Sequence, residues 1–300
     1  MKKNKLYKTS SNCRLCLNKK ISAKLILKPI PLSEKFSFKP FSKSKLINFP
    51  ISLGLCKKCK SVQTNEIVKP KLLWSDFTYL SGQTNFIINH FRELAQKFTN
   101  NFKLKKNDLV VDIGSNDGTF LNFFKKKKMK VAGIDPAKNL AKIANKKGIF
   151  TIPSFFNSQN VRTIEKKYKK KAKLILCFNT FAHAEKLRDI IKNINALLDQ
   201  KGIFVFECQY LGDIYEKKIL GTIFHEHMYH HSVTSLNNLF KNLNLNFYDM
   251  ERVNIQKGSI VGYVTKDLKK NKTKRFINIL KQETSKKITS PQKFKELQNY

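Results

Sequence analysis

Apolar residues follow two different periods along most of the chain. Beyond residue 108, short apolar runs typical of buried strands alternate with segments in which apolar residues recur every three or four positions, as in amphipathic helices. The strand-like runs are 109–113, 131–134, 149–152, 174–178 and 203–206. The helix-like segments between them are 119–127, 137–147, 159–170 and 186–199. This alternation predicts βαβ units and a parallel sheet.

Further elements flank this region. Apolar residues recur at helical spacing over 85–102, before the first strand, and again over 235–243. Two more strand-like runs, 247–253 and 260–265, are separated by Lys257-Gly258. A hairpin of this kind, added to the five earlier strands, predicts a seven-stranded sheet.

The two ends of the chain differ from its middle. Residues 1–70 hold four of the six cysteines and show no helical period, whereas residues 269–300 are lysine-rich and helix-like. We therefore expect a small N-terminal domain (1–70), an α/β domain (71–268) and a helical C-terminal segment (269–300).

The formal net charge of +38 would attract nucleic acids or anionic membranes. Only six of the 59 basic residues are arginine, however, and arginine is the side chain that binds phosphates through a planar fork. An excess of lysine alone favours biased codon usage and a solvated surface over a nucleic-acid interface.

Targeting signals are also missing from the sequence pattern. No run of about 18 apolar residues is present. The polar, lysine-rich N-terminus lacks the apolar segment of a secretory signal. We therefore expect a cytoplasmic protein without a membrane span.

The first strand of the α/β region ends in a glycine-containing loop, Asp112 to Gly118. Glycine lets the backbone approach a ligand closely, and the start of the next helix offers free N–H groups. A carboxylate at Asp112 or Asp117 could attract a cationic amino-acid group. The second strand ends at Asp135-Pro136, where an acid can accept both hydroxyls of a ribose. S-adenosylmethionine carries both groups, so the unit predicts a methyl-donor site.

A dinucleotide-dependent oxidoreductase is the competing interpretation. The loop has one glycine fewer than a dinucleotide fingerprint, and an acid inside it would sit badly beside a pyrophosphate. Together with the closing hairpin, this favours an α/β fold with a Rossmann-like, seven-stranded class I methyltransferase sheet.

Two Cys-x-x-Cys pairs lie in the N-terminal part: Cys13 with Cys16, and Cys56 with Cys59. Four thiolates in two such pairs fit a tetrahedral structural zinc site. Redox chemistry and disulfides are the alternatives, and disulfides are disfavoured in a cytosolic chain. We expect zinc to fold a small domain whose own core is thin.

Histidines are concentrated in one segment. Four of the six lie within residues 225–231, and His183 follows the fourth strand. Metal binding, acid–base chemistry and a polar surface loop are the candidate roles. Histidine titrates near neutrality, and the adjacent Glu226 could raise its basicity. The fifth strand ends in Glu207 and Tyr210 at the same sheet edge, which favours a functional role for the segment.

Taken together, these segments resemble the sugar C-methyltransferases, which methylate a carbon beside the keto group of nucleotide-linked 4-keto-6-deoxy sugars. The resemblance covers nearly the whole chain, from the cysteine pairs through Tyr79-Leu80-Ser81-Gly82, the glycine loop and Asp135-Pro136 to the histidine segment. Its most specific parts are Asn179-Thr180-Phe181-Ala182-His183 and Phe224-His225-Glu226-His227.

The resemblance implies a role for each matching residue. His227 would remove a proton beside the ketone, giving an enolate that attacks the methyl group. Glu226 would bind or orient the sugar, while Tyr79 and His183 would stand at the reacting sugar. The expected cofactor-binding residues are Asp112, Gly114, Asn116, Asp117, Asp135, Pro136 and Asn179. The expected zinc ligands are Cys13, Cys16, Cys56 and Cys59, and the expected substrate is a dTDP-type nucleotide sugar.

Three features depart from the family pattern, the first being Lys257-Gly258-Ser259 in place of the family's Gly-Gly-Ser turn. Members often have tyrosine where this chain has Phe224, and they continue into a further α/β domain that helps bind the nucleotide. We therefore expect residues 269–300 to be the helical start of a truncated C-terminal domain. A shortened protein, a separately encoded partner that supplies the remainder, and a truncated gene prediction are the alternatives.

Two other functions stay open. An RNA methyltransferase would also fit the cysteine pairs and the basic charge, although base N-methylases place a Pro-Pro-aromatic segment where this chain has Asn179-Thr180-Phe181. A non-catalytic remnant or subunit that only binds S-adenosylmethionine is the second alternative.

Overall fold

The structure is a computed structural model that describes residues 6–21, 23–33, 47–74 and 78–297. The strands are β1 (Tyr7–Thr9), β2 (Ala23–Ile30), β3 (Phe49–Leu55), β4 (Val62–Thr64), β5 (Glu66–Val68), β6 (Leu109–Ile113), β7 (Lys130–Ile134), β8 (Thr151–Ile152), β9 (Ala172–Phe178), β10 (Leu198–Gln209), β11 (Tyr229–His230), β12 (Asn246–Val253) and β13 (Ser259–Thr265). The helices are α1 (Pro70–Trp74), α2 (Asn85–Asn101), α3 (Thr119–Lys126), α4 (Lys138–Lys146), α5 (Ser158–Tyr168), α6 (Leu187–Leu197), α7 (Leu211–Lys217), α8 (Val233–Lys241), α9 (Lys274–Ser285) and α10 (Pro291–Glu296). The predicted ranges 1–70, 71–268 and 269–300 each include positions outside the described residues.

Seven strands form one sheet in the order β12-β13-β10-β9-β6-β7-β8. Neighbouring strands are parallel from β10 to β8, whereas β13 runs antiparallel to both β10 and β12. The chain moves outward from β6 to β8 and then returns to place β9 on the other side of β6. Such a switch opens a crevice at the carboxyl ends of the strands. The predicted seven-stranded class I methyltransferase sheet is confirmed.

The sequence pattern explains these elements well. Every residue of β6 and β13 is buried, because helices cover both faces of the sheet and leave no face for polar residues. Side-chain caps decide where helices begin. Ser232 accepts from the Ser235 N–H, so α8 begins at Val233, before the predicted residue 235. The strand predicted over 149–152 is shorter in the structure, where β8 contains only Thr151–Ile152.

The N-terminal region contains strands that the pattern did not predict. β2, β3 and β4 pair in antiparallel fashion, and β1 pairs with β5. The fourth strand of the β2–β4 sheet is β11, which comes from the α/β part of the chain and pairs with β4. The two parts therefore share a sheet.

The C-terminal helices pack back onto the rest of the protein. The buried Glu283 of α9 accepts from the backbone N–H groups of Val233 and Thr234 at 2.7 and 2.8 Å, which caps α8. Phe294 of α10 joins an apolar cluster with residues of β2, β3 and the unpredicted helix α7. Among the described residues, no helix has the length and apolarity that crossing a membrane requires.

Candidate active site

A cavity of about 960 Å³, which we call the cleft, opens at the carboxyl ends of β6, β7 and β9. Its volume is typical of sites for small molecules. The predicted site residues that line it are Tyr79, Asp112, Gly114, Asn116, Asp135, Pro136, Asn179, His183, Glu226 and His227. The structure therefore brings the predicted cofactor residues and the predicted catalytic residues to one cavity. Asp117 and the cysteine pairs lie outside it.

The loop after β6 depends on glycine. Gly114 has a φ of +78°, and a Cβ added there would lie 2.1 Å from Thr180 Oγ1. A side chain at position 114 would collide with the segment that follows β9, so only glycine lets the loop close against it. The Asn116 N–H donates to Asp135 Oδ2 at 2.8 Å, which ties the loop to the end of β7.

Asp112 is an unpaired carboxylate inside the cleft. Its side chain is buried, and its Oδ1 has no hydrogen-bond partner among the described residues. Burial, with a smaller contribution from Asp135, raises the pKa of Asp112 to about 7. A buried carboxylate without a partner is costly, so a cationic ligand group would complete this site.

Asp135 is the acid at the end of β7. Its Oδ2 accepts from the Asn116 N–H, and its Oδ1 accepts from the Ala137 N–H at 2.9 Å. Burial nevertheless raises the pKa of Asp135, against the effect of these two bonds. Each oxygen keeps a further lone pair, so the carboxylate can still accept from two hydroxyls of a ligand.

Asp117 has a different environment from Asp112. Its Oδ1 accepts from the Thr119 hydroxyl at 2.7 Å, and its Oδ2 accepts from Lys147 Nζ at 2.7 Å. The carboxylate therefore stabilises the start of α3 and does not line the cleft. Of the two acids that the sequence offered for a cationic cofactor group, the structure leaves only Asp112 available.

The Asn116 side chain holds the segment before α2 over the glycine loop. Its Nδ2 donates to the Tyr79 carbonyl at 3.0 Å, and its Oδ1 accepts from the Ser81 N–H at 3.1 Å. Tyr79 is 44% exposed at the rim of the cleft. Burial of the rest of the side chain raises the pKa of Tyr79, so the hydroxyl is a donor at neutral pH.

Asn179 lies directly after β9 with a left-handed φ of 52°. Its Nδ2 donates to Glu207 Oε1 at 3.1 Å, and His90 Nε2 donates to Glu207 Oε2 at 2.7 Å. The Asn179 Oδ1 has no partner among the described residues. The sequence analysis missed His90, because it lies inside the helical pattern of α2 and no spacing marks it.

Among the histidines of the 225–231 segment, His227 is the one that lines the cleft. Its Nδ1 lies 2.7 Å from the Thr222 carbonyl oxygen. A carbonyl can only accept, so Nδ1 carries the hydrogen and Nε2 keeps its lone pair in the neutral ring. Burial lowers the pKa of His227 to about 4, which keeps the ring neutral near pH 7.

The ring of His227 belongs to a column of four rings. Its centre lies 4.1 Å from that of Phe224 and 5.2 Å from that of His183. Trp74 is the fourth ring, and it stacks on His183 with 4.8 Å between the ring centres. Burial and the neighbouring His227 lower the pKa of His183 well below its usual value. The column therefore holds two neutral imidazoles in fixed orientations.

The other histidines of the segment pack inside the protein. His225 Nε2 donates to the Pro50 carbonyl at 3.1 Å. His230 and His231 are buried, and burial lowers the pKa of each to about 3. Within the described ranges, the four cysteines are the only group of three or more side chains that could hold a metal, so a histidine metal site gains no support.

Glu226 is the remaining polar residue of this side of the cleft. It is 2% exposed, and its Oε2 has no hydrogen-bond partner within the described part of the chain. The carboxylate can therefore accept a hydrogen bond from a ligand hydroxyl.

The four cysteines of the N-terminal region meet at one point. The Sγ atoms of Cys13, Cys16, Cys56 and Cys59 all lie within 4.8 Å of one another. Cys13 lies 3.5 Å from Cys59, and Cys16 lies 3.6 Å from Cys56. Tetrahedral coordination with metal–sulfur bonds of about 2.3 Å places sulfurs about 3.8 Å apart, so the cluster fits a metal ion. All four are free thiols, and the disulfide alternative is not adopted.

The strand order and the glycine loop together define a class I methyltransferase domain. A family model described as "Methyltransferase domain" matches residues 86–249, more than half of the 300-residue chain. The protein belongs to this family of methyltransferase domains.

A curated relative and several solved structures are similar to the chain. C-methyltransferase NovU from Streptomyces niveus is 32% identical over 213 residues, which make up 71% of this chain and 50% of that protein. The chain therefore spans about half the length of this relative. Magnesium protoporphyrin IX methyltransferase from Synechocystis PCC 6803 was solved with bound S-adenosylhomocysteine (SAH). It is 15% identical to this chain, covers 61% of this chain and 88% of its own, and has a TM-score of 0.47. An S-adenosylmethionine-dependent methyltransferase from Clostridium acetobutylicum ATCC 824 is 13% identical over 61% of this chain and 93% of its own, also with a TM-score of 0.47.

Proposed function

We propose that this protein is an S-adenosylmethionine-dependent C-methyltransferase that acts beside the keto group of a nucleotide-linked 4-keto-6-deoxy sugar. The observation that carries the proposal is His227, a buried neutral imidazole with a free Nε2 lone pair, which lines the same cleft as the unpaired acid Asp112. The similarity to a C-methyltransferase supports the same reaction class.

The part of the cleft lined by Asp112, Gly114 and Asp135, which we call the cofactor side, fits S-adenosylmethionine. Asp112 offers an unpaired carboxylate for the ammonium group, and Asp135 keeps lone pairs for the ribose hydroxyls. The bare backbone of Gly114 leaves room for close approach. When bound, the cofactor supplies an electrophilic methyl group.

The part of the cleft lined by His183, Glu226 and His227, which we call the histidine side, supplies a base and hydrogen-bond partners. A carbon beside a ketone is only weakly acidic, so proton removal needs a positioned base and donors for the enolate oxygen. His227 Nε2 takes the proton, while its Nδ1–H bond to Thr222 steadies the resulting imidazolium. The electron pair of the broken C–H bond passes into the enolate. The enolate carbon would then accept the methyl group of the bound cofactor, and the electron pair of the broken S–CH3 bond would stay on the cofactor's sulfur.

Three other residues assist the reaction on this proposal. Tyr79 and His183 donate to the ketone oxygen as it gains negative charge, since the Tyr79 hydroxyl keeps its proton at neutral pH and the neutral His183 ring carries one N–H. Glu226 accepts from a sugar hydroxyl through its unpartnered Oε2. The four thiolates hold a structural zinc ion, for which their spacing is suited.

The test is incubation of the purified full chain with S-adenosylmethionine labelled in its methyl group and dTDP-4-keto-6-deoxyglucose. We expect label on carbon, and a rate at least about a hundredfold lower in His227→Ala, the usual size of a general-base contribution. Calorimetry with SAH should give the wild-type affinity in the variant, because the base lies outside the cofactor side.

His225→Gln is the matched control. It changes a histidine of the same segment that binds Pro50 and keeps a donor for that bond, so turnover should persist. Full turnover in His227→Ala would exclude the base assignment. Binding of SAH without transfer to the sugar would exclude this substrate, and label on added RNA would favour an RNA methyltransferase.

A further inference from the structure

An arginine inside the first cysteine pair reaches the histidine segment. Arg14 lies between Cys13 and Cys16, and its Nη2 donates to the Met228 carbonyl at 2.8 Å. Its Nε lies 3.4 Å from the Tyr229 hydroxyl, and its guanidinium carbon lies 5.0 Å from the centre of the Tyr229 ring. The side chain therefore binds Met228 and Tyr229, the two residues that follow His227.

The backbone of His227 itself is held from the strand beyond the second cysteine pair. The Thr64 hydroxyl donates to the His227 carbonyl at 2.7 Å, and the Thr64 N–H donates to the Met228 carbonyl at 3.1 Å. Thr64 belongs to β4, which begins three residues after Cys59 and pairs with β11. Both cysteine pairs thus lead directly into contacts with the histidine segment.

Hydrogen bonds also join the first cysteine pair to strand β4. Gln63 of β4 accepts from the Arg14 N–H at 3.0 Å and donates to the Asn12 carbonyl at 3.0 Å. On the far side, the Met228 N–H donates to the Ala182 carbonyl at 2.9 Å, next to His183. The segment is therefore clamped between the cysteine region and the loop after β9.

We propose that Arg14 is a positioning residue for His227, and that the cysteine cluster sets the geometry of the base although no cysteine lines the cleft. The base role of His227 rests on the proposed function, whereas the positioning does not. Fixed carbonyls at His227 and Met228 limit how far the imidazole can move, and a displacement of about 1 Å can cost a catalyst about a hundredfold in rate.

The experiment compares Arg14→Ala with the wild-type protein by hydrogen–deuterium exchange of peptides. We expect faster exchange over residues 222–231, with unchanged exchange over 109–136, unchanged SAH affinity and unchanged bound zinc. On the keto sugar, kcat should fall by about tenfold or more while the KM for S-adenosylmethionine is unchanged. Arg14→Lys, which keeps one donor for the Met228 carbonyl, should recover part of both effects.

Arg162→Ala is the control, because Arg162 is an exposed residue of α5 far along the chain from these contacts. Wild-type exchange over 222–231 in Arg14→Ala would overturn the proposal, even for a protein that does not act on the sugar. Faster exchange everywhere, with loss of SAH binding, would also overturn it and assign Arg14 to general stability. Absence of sugar turnover in the wild type would contradict only the proposed function.

Discussion

The two sides of the cleft are built from contacts of very different range. On the cofactor side, Asp135 binds Asn116 across 19 residues, and Asp117 binds Lys147 across 30. On the histidine side, Thr64 binds His227 across 163 residues, and Arg14 binds Met228 across 214. The cofactor side is largely formed by one local βαβ segment, whereas the backbone of the histidine side is bound by residues of the N-terminal region. Cofactor binding and chemistry should therefore be separable.

Removal of the proposed zinc ion should have the largest effect on the difference between the two sides of the cleft. A chelator, or Cys16→Ser, should release the cysteine pairs and with them Arg14 and Thr64. We expect turnover to fall by about a hundredfold or more, because the base is no longer positioned. SAH affinity should stay near its wild-type value, since none of the four clustered cysteines lines the cleft. Methyl-transfer rates, SAH calorimetry and zinc stoichiometry measure these effects.

Cys208→Ala is the control for this experiment, because Cys208 is a buried thiol of β10 outside the cluster. It should keep both turnover and zinc, and added Zn²⁺ should restore the chelated wild-type protein. An equal loss of SAH affinity and turnover on chelation would mean that the two sides of the cleft are not independent.

Asp112→Asn attacks the cofactor side and should have the next largest effect. Loss of a hydrogen bond between charged groups is worth about 1.5–3 kcal/mol, so SAH should bind about tenfold to a hundredfold more weakly. In the wild type, SAH affinity should rise as the pH increases towards about 7, where Asp112 ionises. The variant should lack this dependence.

The same carboxyl affects the stability of the free protein with a definite sign. Its pKa is raised from 3.8 in the folded state, so the unfolded chain releases its proton first. The contribution of Asp112 to stability should therefore fall as pH rises from about 4 to about 7, and thermal unfolding should show this difference from Asp112→Asn. Asp117→Asn is the control: it should lower thermal stability through α3 and leave SAH affinity nearly unchanged. An opposite pattern for the two acids would reverse their assignment.

How much could be predicted from the sequence follows the same division. Strands β6, β7 and β9 of the central sheet were predictable because each is a short, largely apolar run, and the glycine loop was predictable because its residues are contiguous. The sequence could not show which acid is bound by the protein's own side chains and which stays available for a ligand, since both Asp112 and Asp117 lie in the glycine loop. That choice depends on Lys147 and Thr119, which only the folded chain brings to Asp117.

The histidine side was less predictable. The segment drew attention by composition, but neighbouring histidines look alike in sequence. Only its place in the lining of the cleft and its bond to the Thr222 carbonyl distinguish His227. Strands β4 and β11 have three and two residues, too few to show an alternating pattern. Arg14 carried no signal, because an arginine between two cysteines is unremarkable until its partner is known.

The smallest expected effect tests where the cofactor side ends. His90 and Glu207 are 117 residues apart, so this pair is a long-range contact that reaches the cofactor side through Asn179. We expect Asn179 Oδ1 to accept from the ammonium group of the cofactor, with His90 and Glu207 fixing the amide. His90→Ala should weaken SAH binding by about threefold to tenfold, the value of one ordinary hydrogen bond. His90→Gln, which keeps a donor for Glu207, should recover most of the affinity.

A second ligand makes this last prediction specific. 5′-Methylthioadenosine has the nucleoside and the sulfur of SAH but no amino-acid group, so its affinity should be the same in His90→Ala and in the wild type. Equal losses for both ligands would place the effect of His90 on the nucleoside and not on the ammonium group. No loss for either ligand would confine the cofactor side to its local contacts. Either result would redraw the division between the two sides of the cleft, because the long-range pair of His90 and Glu207 would then support the nucleoside or no part of the cofactor.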